Sequence, residues 1–327
     1  MTTSPQRDDT AATGRPRGAR RRRPSAAPPS MWADLDGPVH YVDYGGPDDG
    51  PLMLLVHGLG GSLLNWAAIA PTLAETNRVM AIDLVGFGRT QVLGRSTSIH
   101  ENTRLLARFI GEVCGQPVVL VGNSMGGLIS MLLASARPDL VAGLVLVDPA
   151  LPVGPTARPD PLVMLMFGLY AVPAVGNVVM SRRRTVLSAE GQALAVLRLC
   201  CVDPTRVPRL VLEQHLALAR EREEYPDVDA ELVVAARSLM LVLARRGWVK
   251  SMMRSISVPV LLLHGDKDRL VPLAAARAVA ADNPTWRFEV ARNVGHVPQL
   301  EVPDWTIAHI LDWLAVEGAA AAIVARP

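Results

Sequence analysis

Pro117-Val-Val-Leu-Val-Gly-Asn-Ser-Met-Gly-Gly127 is the stretch on which the reading of this chain turns. An apolar run of strand character passes directly into Gly122-x-Ser124-x-Gly126, the local pattern of a nucleophile elbow. On so sharp a strand-to-helix turn the serine backbone is strained. Side chains two residues either side would clash, so Gly122 and Gly126 leave room. The turn lifts Ser124 Oγ above the sheet, and the helix behind it points free N–H groups at whatever the serine attacks. In a chain with 26 glycines the five-residue pattern alone is of moderate specificity, so its weight depends on what surrounds it.

Outward from the elbow, further apolar runs read as strands: Val39–Tyr44, Leu52–His57, Arg78–Leu84, Val141–Val147, Val258–His264 and Trp286–Val290. The turn cluster Gly45–Gly50 suggests a hairpin between the first two. Helical periodicity lies between the runs, at Trp66–Glu75, Ile99–Cys114, Gly127–Ala136, Leu273–Ala281 and Asp304–Val316. Strands that are continuous apolar runs and alternate with helices predict an α/β fold with a mostly parallel central sheet covered on both faces.

The 327 residues are half hydrophobic but only 4% aromatic, so the core is aliphatic. This is enough chain for one large domain with an insertion. Residues 1–30 carry seven arginines and two aspartates, a net of +5, which leaves −3 for the rest. The basic balance therefore belongs to the tail and argues no nucleic-acid role for the fold. After Arg20-Arg-Arg-Arg23 comes Pro24-Ser-Ala-Ala-Pro-Pro-Ser30 rather than an apolar stretch, so no export signal is recognised. Residues 1–30 read as a disordered, solvated tail, with contact to anionic lipid or nucleic acid as the alternative. Met31 stands where a shorter chain would start. Cys114, Cys200 and Cys201 form no disulfide framework, which fits a reducing, cytoplasmic setting.

The division expected is a core over 31–149, a helical cap over 150–253 and the rest of the core over 254–327. Within the cap, Pro161–Met180 has twenty residues without a charge, followed by Arg182-Arg-Arg184. That resembles a membrane span with a positive flank. Gly168, Pro173, Gly176 and Asn177 argue against one straight span, so cap helices around an apolar pocket are preferred, with peripheral membrane contact as the alternative.

Serine-based acyl transfer needs a nucleophile, a base, an acid that orients the base, and donors for the oxyanion. Asp268 lies in His264-Gly-Asp-Lys-Asp-Arg-Leu-Val-Pro272, just after a strand, and His296 lies just after the last strand. Both are at the strand edge where Ser124 emerges, the edge at which open parallel sheets collect ligands. In His57-Gly-Leu-Gly-Gly-Ser62, Gly58 and Gly60 let backbone approach a substrate. The Leu59 amide and the Met125 amide are the candidate oxyanion donors.

With HGLGGS at 57–62, DLVGFGRT at 83–90, GNSMGG at 122–127, GDKDRLVP at 265–272 and GHVPQLEVP at 295–303, the chain resembles the α/β-hydrolase superfamily over about 37–318, apart from the cap. The resemblance implies Ser124 as nucleophile, His296 as base and Asp268 as acid. Family spacing favours Asp268 over Asp266. Asp148 occupies an alternative acid position of some relatives, though its Asp-Pro context reads more simply as a turn. His57 and His264 read as structural, and His215, in the cap, as an exposed helix position, with lining of the cap pocket as the alternative.

Serine at 124 argues against epoxide hydrolases and haloalkane dehalogenases, which use aspartate. The elbow is similar to that of carbon–carbon bond hydrolases, but those carry tryptophan after the histidine, where this chain has Val297. The expectation is a carboxylic ester hydrolase for a small hydrophobic substrate, working without metal or organic cofactor. Carbon–carbon bond hydrolysis is the alternative, and a non-catalytic small-molecule binding protein on the same fold stays open. Oligomeric state is not legible.

Overall fold

The computed structural model describes residues 28–47, 50–154, 160–226 and 228–324. The tail expectation for 1–27 lies outside these. Eight strands form one sheet: β1 (Ser30–Asp34), β2 (Pro38–Gly45), β3 (Leu52–Val56), β4 (Arg78–Ile82), β5 (Val118–Asn123), β6 (Val141–Val147), β7 (Val260–Gly265) and β8 (Arg287–Ala291). Their order is β1-β2-β4-β3-β5-β6-β7-β8, with β1 and β2 antiparallel to their neighbours and the rest parallel.

Two sequence expectations change here. The chain does not fold β2 back onto β3; β2 pairs with β4, which separates the two. The hairpin is instead β1–β2, turned through Leu35-Asp36-Gly37. Asp36 and Gly37 both have positive φ, and Asp-Gly is the dipeptide that suits such a turn. Ser30, expected in the tail, is instead the first residue of β1, and its Oγ bonds His40 Nε2 at 2.9 Å.

Strands β3, β5 and β7 are buried at every residue because helices cover both faces. Period-two alternation sorts their side chains. Leu54, Val56, Leu120, Leu144, Leu146 and Leu262 join the core on one face. Met53, Leu55, Val119, Val121, Val145 and Leu263 join that on the other. Each such side chain contributes about 1.5–3 kcal/mol when fully buried.

The core helices are α1 (Ala70–Leu73), α2 (Ile99–Phe109) and α3 (Met125–Ala136), and, after β7, α10 (Leu273–Asp282), α11 (Pro298–Glu301) and α12 (Pro303–Val324). The long helix expected at Trp66–Glu75 is a 3-10 turn at Leu63–Trp66 followed by the single turn of α1, with Pro71 at its start. Between β6 and β7 every element among the described residues is helical: α4 (Pro161–Ala171), α5 (Pro173–Val186), α6 (Ala189–Cys200), α7 (Arg209–Glu221), α8 (Val228–Ala244) and α9 (Arg246–Arg254), with a 3-10 turn at Pro204–Arg206. Pro161–Met180 is divided between α4 and α5 at Val172-Pro173, and no helix among the described residues is long and apolar enough to cross a membrane.

Candidate active site

Strand order creates the site. The chain leaves β3 toward β4 on one side, then returns to lay β5 on the other side of β3. Loops leaving β3 and β5 therefore diverge and open a crevice between them. His57–Ser62 leaves β3 and Ser124 leaves β5, so the two loops face each other. A Cβ placed on Gly58 would lie 2.9 Å from Ser124 Cβ.

Ser124 has φ 53 and ψ −118, a left-handed strained position for a side-chain-bearing residue, between β5 and α3. A Cβ at Gly122 would sit 2.6 Å from Gly126 O, and one at Gly126 would sit 2.4 Å from both Val56 O and His57 O. Met125 is the first residue of α3, where a helix leaves its amides without intrahelical partners. Gly60, at φ +70, lets the β3 loop turn, and Gly61 N donates to Gly58 O at 3.1 Å. The loop is braced from below. His57 bridges Gly58 O (2.8 Å) and Leu84 N (3.1 Å), and burial lowers its pKa, which keeps the imidazole neutral as the bridge requires. Asp83 accepts from Leu63 N at 2.7 Å and is paired with buried His40.

Asp268, not Asp266, meets the histidine: His296 Nδ1 lies 2.7 Å from Asp268 Oδ2. Asp268 Oδ1 accepts from Leu270 N and Val271 N. Burial pushes Asp268 upward, but His296, His264 and the Val271 amide outweigh it and hold the carboxyl below its ordinary value. Asp266 instead accepts from Asn293 N at 2.6 Å and joins the β7 and β8 loops. His296 Nε2 is buried and has no hydrogen-bond partner among the described residues. Nucleophile–base bonds are often long until substrate binds.

Asn123, which sequence reasoning passed over, ties the elbow to the histidine. Its Nδ2 donates to Val147 O at 2.9 Å and to His296 O at 3.1 Å. A buried polar residue at the end of an apolar strand was the available signal.

Two sequence expectations are revised here. Asp148 is more than an Asp-Pro turn: it is fully buried, at φ 43, and accepts from Gly265 N at 2.9 Å. With Asp268 and His264 it forms a buried group whose potential ligand atoms lie within 4.8 Å of one another, a cluster the sequence did not reveal. Burial, then the neighbouring Asp268, raises Asp148 well above the usual carboxylate range. The neighbouring carboxyls are driven in opposite directions, so a proton shared between them is favoured on Asp148 and the charge on Asp268. Asp268 is already committed to His296 and two amides, and His264 Nε2 to Val271 O at 2.9 Å. His215, expected to be exposed, is half-buried; its Nδ1 bonds Val211 O and its Nε2 lies 3.3 Å from Asn65 Oδ1, so α7 touches the loop after β3.

A cavity of about 410 Å³ opens elsewhere, lined by Gly86, Thr90, Arg222, Tyr225 and Glu231 among others; Ser124, Asp268 and His296 do not border it.

The profile of the family described as "alpha/beta hydrolase fold" matches residues 51–303. The chain belongs to the alpha/beta hydrolase fold family. Relatives of this hydrolase differ in what they do. The dihydrolipoyllysine-residue acetyltransferase component of an acetoin cleaving system from Pseudomonas putida is 28% identical over 290 residues, 88% of this chain and 70% of that one. A 2-hydroxy-6-oxononadienedioate/2-hydroxy-6-oxononatrienedioate hydrolase from Pseudomonas putida is 25% identical over 299 residues, covering 86% and 93%. Among solved structures, a membrane phospholipase A superposes with a TM-score of 0.68 at 25% identity, covering 89% of this hydrolase and 87% of that chain.

Proposed function

We propose that this hydrolase cleaves a carboxylic ester of an apolar acyl group or small hydrophobic substrate through an acyl-enzyme on Ser124. The observation that carries the reading is the 2.7 Å bond from His296 Nδ1 to Asp268, which leaves Nε2 as the buried, unpartnered end of the ring. An ionised acid fixes the tautomer with the proton on Nδ1, so Nε2 is the basic nitrogen. Nε2 takes the Ser124 proton as Oγ attacks the ester carbonyl, and Asp268 stabilises the imidazolium. The amides of Leu59 and Met125 receive the oxyanion. The imidazolium then protonates the leaving alcohol, and water, deprotonated by His296, releases the acid and restores Ser124.

Hydrolysis of a carbon–carbon bond in a dicarboxylate, the reaction of one relative's name, calls for a cation to hold the substrate's carboxylates. Arg206 is occupied by Asn293 O and Glu301, and Arg222 by the carbonyls of Gly86 and Gly88. Arg209 is in solvent with Glu213. Beside His296, Val297 packs with Leu197, Cys201, Val207, Val211 and Leu300. The inserted helices are aliphatic, which suits an apolar acyl group.

The test is labelling by a fluorophosphonate together with hydrolysis of p-nitrophenyl esters of graded chain length. Labelling lost in Ser124→Ala, with turnover of short or medium acyl esters, is expected. Labelling that survives Ser124→Ala overturns the nucleophile. Inert esters with cleavage of a vinylogous 1,5-diketone transfer the reading to carbon–carbon hydrolysis. No labelling and no turnover of either leaves a binding protein.

A further inference from the structure

Helices α4 and α5 carry an apolar surface that the other described residues leave uncovered. On α4, Leu162, Met164 and Leu165 are exposed, the two leucines at 60% each. On α5, Val175 and Val178 continue from Val172 and are followed by Arg182. Within α5 the steps of three and four residues place Val175, Val178 and Arg182 along one helical face, and exposed Val172 precedes it at the junction with α4. The opposite side is occupied: Met166, Tyr170 and Val179 cluster with Val233 and Ala236 of α8, and that cluster reaches Leu59. The α4–α5 pair therefore packs against α8 on its inner side and is exposed on its outer side. Contiguous exposed apolar surface of this kind marks an interaction site rather than ordinary scatter.

Charge identifies the occupant. Between Asp160 and Glu190 there is no acidic residue, while Arg182, Arg183 and Arg184 are consecutive. This is a cationic apolar segment on a body whose residues after 30 sum to −3. Two copies meeting through this face in a symmetric pair would bring two cationic segments, each with Arg182 on the face, into one interface, a costly arrangement. A bilayer with anionic headgroups accommodates both features: leucine and valine enter the acyl boundary and arginine stays with the phosphates. At eleven and fourteen residues the helices suit lying in the interface plane, not crossing it.

We propose that the outer face of α4–α5 docks this hydrolase on an anionic lipid surface. The docking does not depend on which bond the site cuts.

Co-sedimentation of the full-length chain with phosphatidylcholine vesicles, with and without phosphatidylglycerol, tests it. Binding to anionic vesicles is expected to exceed binding to neutral ones by about tenfold or more, as a few arginines near a charged surface allow. Leu162→Asp with Leu165→Asp, and separately Val178→Asp, are each expected to weaken it by about tenfold. Hydrolysis of a water-soluble ester and the circular dichroism spectrum should stay unchanged. Replacing the three arginines by glutamate should abolish the preference for anionic lipid. Absence of vesicle binding overturns the proposal. So does binding that both aspartate variants retain, which places the contact in residues 1–27. A dimer in solution that Leu165→Asp dissociates, without vesicle binding, makes a second copy the occupant and overturns it as well.

Discussion

Arg206 Nη1 reaches Glu301 Oε1 at 3.2 Å across the join between the inserted helices and the loop that carries His296. Glu301 is wholly buried, and its carboxylate also accepts from Val202 N, Asp203 N and Gly295 N. Next to it, His296 N donates to Cys200 O at 2.6 Å. One carboxylate thus holds the segment after α6 and the histidine loop in a single register. Glu301→Gln replaces an acceptor with a donor facing these amides. It is expected to lose about 2–4 kcal/mol of stability in urea. Turnover should fall by about ten- to a hundredfold as His296 shifts, with KM changed little. Unchanged turnover would show that the clasp holds only the fold.

Asp268→Asn removes the acid that fixes the His296 tautomer. Turnover of a reactive ester should fall by about 10³–10⁴-fold, with the protein still folded. Asp148→Asn, in contrast, replaces a carboxyl that is already neutral and should change turnover at neutral pH by less than about threefold. Equal losses in the two variants would contradict the placing of the shared proton.

The same pair predicts a pH signature. The raised pKa of Asp148 means that the folded state keeps a proton which the unfolded chain releases. Stability linked to Asp148 is full below the ordinary carboxylate range and is lost as pH rises toward its folded pKa. Asp268, held low, acts oppositely: its contribution is present above the ordinary range and lost as pH falls through its folded pKa. Asp148→Asn should therefore gain on the wild type as pH rises above the ordinary carboxylate range, by up to about 1.4 kcal/mol per unit. Urea unfolding at several pH values reads this directly; a gap that does not widen refutes it.

Gly126→Ala forces a Cβ to within 2.4 Å of two carbonyl oxygens of the β3 strand and loop, neither of them a flexible side-chain end. A loss of about 3 kcal/mol or more is expected, seen as a lower thermal midpoint or failure to accumulate.

Asn123→Ala leaves His296 O and Val147 O without their shared donor. A stability cost of about 1–3 kcal/mol is expected. A larger fall in turnover than a remote core truncation of equal cost would mark Asn123 as a positioning residue for His296.

The parallel sheet was legible because doubly covered strands are unbroken apolar runs, as in Leu52–Val56 and Val118–Val121. Residues following such runs fall on one edge whatever their sequence separation, so Ser124, Asp268 and His296 stood out together. Partners set by long-range packing were not legible. The β2–β4 pairing depends on where β3 is laid, and β1 is short and largely exposed, so its periodicity is faint. Glu301 reads as one more residue of a terminal motif until the segment after α6 is seen to lie on it. Asp148 and Asp268 are 120 residues apart and meet only because β6 and β7 are adjacent. The Asp36-Gly37 turn was a local signal that could have revealed the first hairpin.

The neighbouring carboxyls at the ends of β6 and β7 also bear on ancestry. Relatives that orient their histidine from one strand or the other need an evolutionary route between the two arrangements. A sheet that holds an acid after each of two adjacent strands keeps a second carboxyl beside the first, so loss of one need not leave that edge of the sheet without an acid.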